Sequence, residues 1–256
     1  QRAWRHAGHM TLDVRICSDE TELVAAACFE VLHAARCAWE RGGAFTWVLA
    51  GGSTPTPVYA ALRQERDFDW ARTEVFWGDE RCVPPDDANS NYRLAKTTLL
   101  DHVPLRPSQI HRMAGEAPPE RAADQYADEL ARWFAQDGPD LVLLGMGADG
   151  HTASLFPGLT AVAERRRWVV PEFVPQMGSW RLSCTPVFLN RARRIVFLVA
   201  GAAKAAALAQ VLEGPRQPCR WPAQAIQGPD QCWLVEKSAA THLLRYAASA
   251  APRPTA

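Results

Sequence analysis

The sequence predicts an α/β fold built on a mainly parallel sheet, and three observations lead there. Short apolar runs alternate along the chain with longer helix-period patterns. The run "DLVLLGMG" places four apolar residues in succession ahead of Gly145, as a strand buried on both faces requires. The strand–turn–helix succession then recurs late in the chain, where "RIVFLVA" feeds "GAAKAAALAQVL".

Taken in order, "LDVRI" reads as a first strand from Leu12. A helix follows from about Asp19 to Glu40, with Ser18 as its N-cap. Val24, Ala27, Val31 and Ala35 form one apolar face, and Gly42 and Gly43 end it. "FTWVLA" is a strand, followed by the turn "GGSTPTP" and a helix through "VYAALRQ". "EVFWG" is the next strand, from Glu74. The loop "DERCVPPDDANSN" leads to a helix from Tyr92 to Leu100 that Ser90 can cap. "ERAADQYADELARWFA" is amphipathic from about Glu120, and "CWLVE" is a strand before a short last helix through Leu243. No internal repeat or long linker interrupts the pattern. Residues 10–248 therefore read as one domain, residues 1–9 as an expression remnant or a disordered segment, and residues 249–256 as a disordered tail.

Composition narrows the function. Of 256 residues, 48% are hydrophobic, enough for a substantial core, and 28 basic residues balance 28 acidic ones. That balance argues against a nucleic-acid or membrane-surface partner, while allowing a local basic pocket. The seven cysteines are scattered and form no C-x-x-C pair, which fits a reducing compartment such as the cytoplasm and no zinc site. No run is long and apolar enough for a bilayer-spanning helix. G-x-S-x-G, G-x-x-x-x-G-K-[ST] and H-E-x-x-H are all missing, so neither a serine-hydrolase elbow, a P-loop nor a catalytic metal is indicated.

Ligands in such a sheet bind outside the carboxyl ends of the strands. Four of those ends carry unusual polar chemistry: "AGGST" at residues 50–54, "GDER" at 78–81, "GMGADGH" at 145–151 and "AGAAK" at 200–204. Gly51, Gly52 and Ser53 suit either a phosphate cradle or a tight turn in which Ser53 or Thr54 begins the next helix. Asp79, Glu80 and Arg81 suit either a surface turn or an arginine clamp on phosphate or an oxyanion. Lys204 suits either a solvated lysine on a helix face or an anion site, because it opposes the dipole of the helix it begins and a bound anion would remove that conflict. Gly145, Gly147 and Gly150 spell G-x-G-x-x-G, but Pro157 stops any helix of useful length after them, so a dinucleotide is rejected. What remains is a glycine-rich loop exposing Asp149 and His151. Four other histidines, His33, His102, His111 and His242, read as surface or helix-face residues.

The stretches "LAGGSTP", "VFWGDERCVPPDDANSNY", "GMGADGHTASLFPG", "RLSCTPVFLN", "GAAKAAAL" and "PAQAIQ" together resemble the 6-phosphogluconolactonase family. That resemblance implies a Rossmann-like three-layer α/β/α sandwich and hydrolysis of 6-phospho-D-glucono-1,5-lactone to 6-phosphogluconate in the oxidative pentose phosphate pathway. It implies a small sugar-phosphate lactone as partner, no metal, no organic cofactor, and a monomer or weak homodimer. It further implies a catalytic group of His151, Asp149 and Arg81, with His151 as general base. Substrate and phosphate binding would fall to Gly51, Gly52, Ser53, Asp79, Asn91, Arg181 and Lys204. Ser183, Cys184 and Glu236 depart from the residues usual in the family. The chain is also similar to the glucosamine-6-phosphate deaminase family in its D-G-H loop. That family has a glutamate after the histidine and a tyrosine where Arg81 stands here, whereas this loop continues "TASLFP".

Overall fold

The computed structural model describes residues 11–246. The leading segment 1–9 and the tail 249–256 lie outside the described residues. In chain order the strands are β1 (Thr11–Cys17), β2 (Phe45–Leu49), β3 (Thr73–Trp77), β4 (Asp79–Arg81), β5 (Ile110–His111), β6 (Leu141–Gly145), β7 (Val169–Val174), β8 (Ser179–Cys184), β9 (Arg194–Val199) and β10 (Asp230–Glu236). The helices are α1 (Glu20–Glu40), α2 (Thr56–Leu62), α3 (Asn91–Thr98), α4 (Pro119–Phe134), α5 (Pro186–Leu189) and α6 (Ala205–Leu212). Seven strands form a parallel sheet in the order β1-β10-β9-β6-β2-β3-β5. The other three form an antiparallel sheet, β4-β8-β7.

The parallel sheet is covered on both sides, as its apolar strands demand. Leu141 and Leu143 of β6 face a core with Leu23 and Val31 of α1, Val58 of α2 and Ala95 of α3. Their neighbours Val142 and Leu144 face the opposite core, with Tyr126 and Leu130 of α4 and Leu208 of α6. This is the expected three-layer α/β/α sandwich. No helix among the described residues is long and apolar enough to cross a membrane.

Several local expectations are corrected. Asp19, not Ser18, caps α1: its Oδ1 accepts from Glu22 N at 2.9 Å, while Ser18 N donates to Glu22 Oε2 at 2.7 Å. The helix after "GGST" begins at Thr56 behind Pro55, so Ser53 and Thr54 stay in the loop. Residues 237–242 form turns rather than a last helix. Asp79, Glu80 and Arg81 do not form a surface turn. They are β4, with Asp79 and Glu80 buried beneath β8. His111 is no surface residue either. It sits on β5, stacked on Phe76 at 4.4 Å, with its ring nitrogens 2.8 Å from Glu129 Oε1 and 2.9 Å from Glu74 Oε2.

Candidate active site

The carboxyl ends of β2, β3, β6 and β9 surround a cavity of about 230 Å³. Gly51, Gly52 and Ser53 enter its wall from the end of β2, Asp79 and Arg81 from β4, and Asn91 from α3. His151 comes from the loop after β6, and Lys204 from the 3-10 turn after β9. The four polar strand ends singled out in the sequence thus meet at one place. Asp149 and Arg181 do not line the cavity, but each adjoins a residue that does, Asp149 beside His151 and Arg181 beside Arg81.

The β6 loop is tightly built around its histidine. Asp149 Oδ1 stands 2.6 Å from His151 Nδ1 and also accepts from the His151 backbone N at 3.1 Å. Burial pushes the Asp149 carboxyl up, but those contacts with His151 outweigh it and hold the group below its ordinary value. Gly147 N donates to His151 O at 2.9 Å, and Phe156 stacks on the imidazole at 4.4 Å. The imidazole leaves no room for a side chain at 147, where a Cβ would lie 2.2 Å from His151 Nδ1 and Cε1. Gly147→Ala is therefore expected to destabilise the protein by about 1–3 kcal/mol through overpacking, measured by denaturant unfolding. An unchanged midpoint would show that the ring has space to move.

Two cations, Arg81 and Lys204, line the same cavity, and Arg181 stands beside Arg81 without lining it. Arg81 and Arg181 face each other in the β4–β8 ladder, and neither has a carboxylate ion pair among the described residues. Burial, with the like charge of Arg81, pushes the Arg181 guanidinium below its ordinary range. Arg181 Nη2 lies 2.8 Å from Met177 Sδ, and Arg81 Nη1 donates to Asn89 O. Burial likewise lowers the Lys204 ammonium, which has no hydrogen-bond or ion-pair partner among the described residues. Under-compensated cations lining one cavity favour an anionic ligand.

Two residues outside the expected set support this wall. Glu80 is buried, and its carboxylate accepts from the backbone N of Arg81 (2.7 Å), Asn91 (2.7 Å) and Tyr92 (2.8 Å) and from Ser90 Oγ (3.0 Å). Burial raises its pKa against those bonds. Glu236 Oε2 accepts from Gly201 N at 2.9 Å and from Ser238 Oγ at 2.8 Å, fixing the turn that carries Lys204. Glu80 was visible in the sequence only as one of three adjacent charges, and Glu236 only as a departure from an aspartate.

A family model described as glucosamine-6-phosphate isomerases/6-phosphogluconolactonase matches residues 18–234, a span holding every residue that lines the cavity. The chain belongs to the glucosamine-6-phosphate isomerase/6-phosphogluconolactonase family. Within that family it falls in the 6-phosphogluconolactonase subfamily. It is 41% identical to the 6-phosphogluconolactonase of Synechocystis over 80% of this chain and 86% of that one. The crystal structure of 6-phosphogluconolactonase from Thermotoga maritima superposes with a TM-score of 0.79 at 28% identity, covering 89% of this chain and all of that one. A monomeric glucosamine-6-phosphate deaminase shares the fold of the family at 22% identity, with a TM-score of 0.77 over 90% of this chain and 99% of that one.

Proposed function

We propose that this enzyme hydrolyses 6-phospho-D-glucono-1,5-lactone to 6-phosphogluconate, the lactonase step of the oxidative pentose phosphate pathway, with His151 activating the attacking water. The observation that carries the reading is the His151–Asp149 pair set in a cavity that also holds Lys204 and Arg81. Asp149 accepts the Nδ1–H and fixes the tautomer, which leaves the Nε2 lone pair as the base. A lactone is an activated ester, so no covalent nucleophile is needed. Nε2 takes one proton from water as the water oxygen bonds to C1, and the carbonyl oxygen becomes an oxyanion that Arg81 or the glycine-loop N–H groups stabilise. When the carbonyl re-forms, the bond from C1 to the ring oxygen breaks. The imidazolium then returns its proton to that oxygen. Lys204 and the Gly51–Gly52–Ser53 loop hold the phosphate and so orient the ring. Asp79 and Arg181 complete the substrate-binding set, and Asn91 serves it through Gly51 and Asp79 rather than by touching substrate. A metal or organic cofactor is not needed for this sequence of steps. The free cysteines fit a cytoplasmic setting.

Deamination of glucosamine 6-phosphate would need further acid–base groups for proton transfer between C1 and C2. In the loop after His151, Leu155 and Phe156 are buried hydrocarbon, and Phe156 is stacked on the imidazole itself. The test is to incubate the protein with each substrate, following acid release from the lactone and ammonia release from the amino sugar. Acid release well above the buffer blank and no ammonia is the expected result. Ammonia at enzymatic rates, with lactone hydrolysis no faster than the blank, would overturn the proposal.

A further inference from the structure

We infer that Asn91 is a positioning residue: its buried amide wedges beneath Gly51 and sets the loop that grips the substrate's phosphate, a role that rests on the function proposed above. Asn91 is the first residue of α3 and is only 2% exposed. Its backbone N donates to Glu80 Oε1 at 2.7 Å, so the buried carboxylate fixes where the side chain begins. Asn91 Nδ2 donates to Asp79 O at 2.9 Å and to Asp79 Oδ1 at 3.2 Å, which occupies both of its hydrogens. The amide orientation follows, because only the nitrogen can face two acceptors. Oδ1 is then turned toward Gly51, buried and without a hydrogen bond. The amide therefore offers the substrate no free donor, and its effect passes through the groups it touches.

The contact with Gly51 is the informative one. A Cβ at position 51 would fall 1.9 Å from Asn91 Oδ1, 2.3 Å from Cγ and 2.7 Å from Nδ2. Gly51 is not among the glycines with positive φ, so its backbone would accept alanine. What excludes a side chain is the Asn91 amide, which occupies that volume. Asp79, held by the same amide, accepts from Ser154 Oγ at 2.7 Å through its other oxygen. Ser154 belongs to the segment that follows His151. Asn91 thus touches two of the four strand ends that wall the cavity and is linked through Asp79 to the segment after His151.

A two-residue cycle tests this. Asn91→Ala should raise KM for the phosphorylated lactone about fivefold while kcat stays within about twofold, because the phosphate loop loses its support but the base does not. Gly51→Ala alone should raise KM by about twentyfold or more, as the new methyl group drives the amide out of place. The double variant should resemble Asn91→Ala alone to within about twofold, since the methyl fills the space the amide vacates. A residue serving only general stability would lower the active fraction, and so apparent kcat, without this KM pattern. Multiplied effects in the double variant, about a hundredfold, would overturn the inference. If Gly51→Ala does not fold, thermal midpoints give the same answer. A double variant that folds and melts near Asn91→Ala supports the wedge, and one that also fails to fold overturns it. Calorimetric titration with inorganic phosphate keeps this result separate from the functional proposal. The same non-additivity in phosphate affinity is expected even if the lactone proves not to be the substrate, and additive losses there count against Asn91.

Discussion

Replacing His151 by alanine should lower kcat by about 10²-fold or more, with a smaller change in KM. The imidazole is the single group at the cavity wall with one ring nitrogen engaged by a carboxylate, at 2.6 Å, and the other ring nitrogen free of any hydrogen-bond partner among the described residues. Loss of a positioned base typically costs about 10²–10⁴ in rate. Substrate affinity should survive, because the cations proposed to hold the phosphate come from other segments. The measurement is initial-rate hydrolysis on freshly generated lactone, with spontaneous hydrolysis subtracted. Near-normal turnover would remove His151 from the mechanism and leave the Asp149 pair as a structural brace for the loop.

Lys204→Ala should act on binding instead. Losing one charge-assisted contact costs about 1.5–3 kcal/mol, or roughly 10–150-fold in kcat/KM for the phosphorylated lactone. Unphosphorylated gluconolactone should be a poor substrate for the wild type and almost indifferent to the substitution. Burial lowers the pKa of this ammonium, and the charged form is the one that holds phosphate. The sign follows: KM for the phosphorylated substrate should rise as pH climbs through that depressed pKa. The alkaline limb should vanish in the alanine variant. Equal losses on both lactones would show that Lys204 serves something other than the phosphate.

Much of the main sheet was legible because its strands are apolar on both faces. "VLLG" and "IVFLV" can only be central strands once helix patterns flank them. The antiparallel sheet was not legible. β4 is three charged residues long, and nothing local says that such a triplet is buried. Glu80 can be buried because the start of α3, about ten residues later, supplies two backbone donors and a serine hydroxyl to its carboxylate, beside the Arg81 N–H. That compensation exists only in three dimensions. His111 was misread for the same reason, since Glu74 and Glu129 reach it from β3 and α4. Ser18 and Asp19 are both good cap residues, and the pattern alone does not choose between neighbours. At the site, spacing drew attention to Asp149 and His151, but their hydrogen bond needed the turn geometry. Asn91 was grouped with the substrate contacts, and only the distance to Gly51 reveals what its amide displaces.

The strand order has a further consequence for biosynthesis. Among the described residues β1 pairs with β10 alone, and β10 lies between β1 and β9. As the chain leaves the ribosome, β1 is the first of the described strands to emerge and has no partner in the sheet until β10 appears, more than two hundred residues later. β10 also carries Glu236, the carboxylate that fixes the Lys204 turn. A nascent chain can assemble the β6-β2-β3 centre first, yet β1 stays unpaired and the turn that carries Lys204 unbraced until β10 has been made. The interval in which an apolar edge stands open to other chains is thereby set by the speed of translation rather than by the speed of folding.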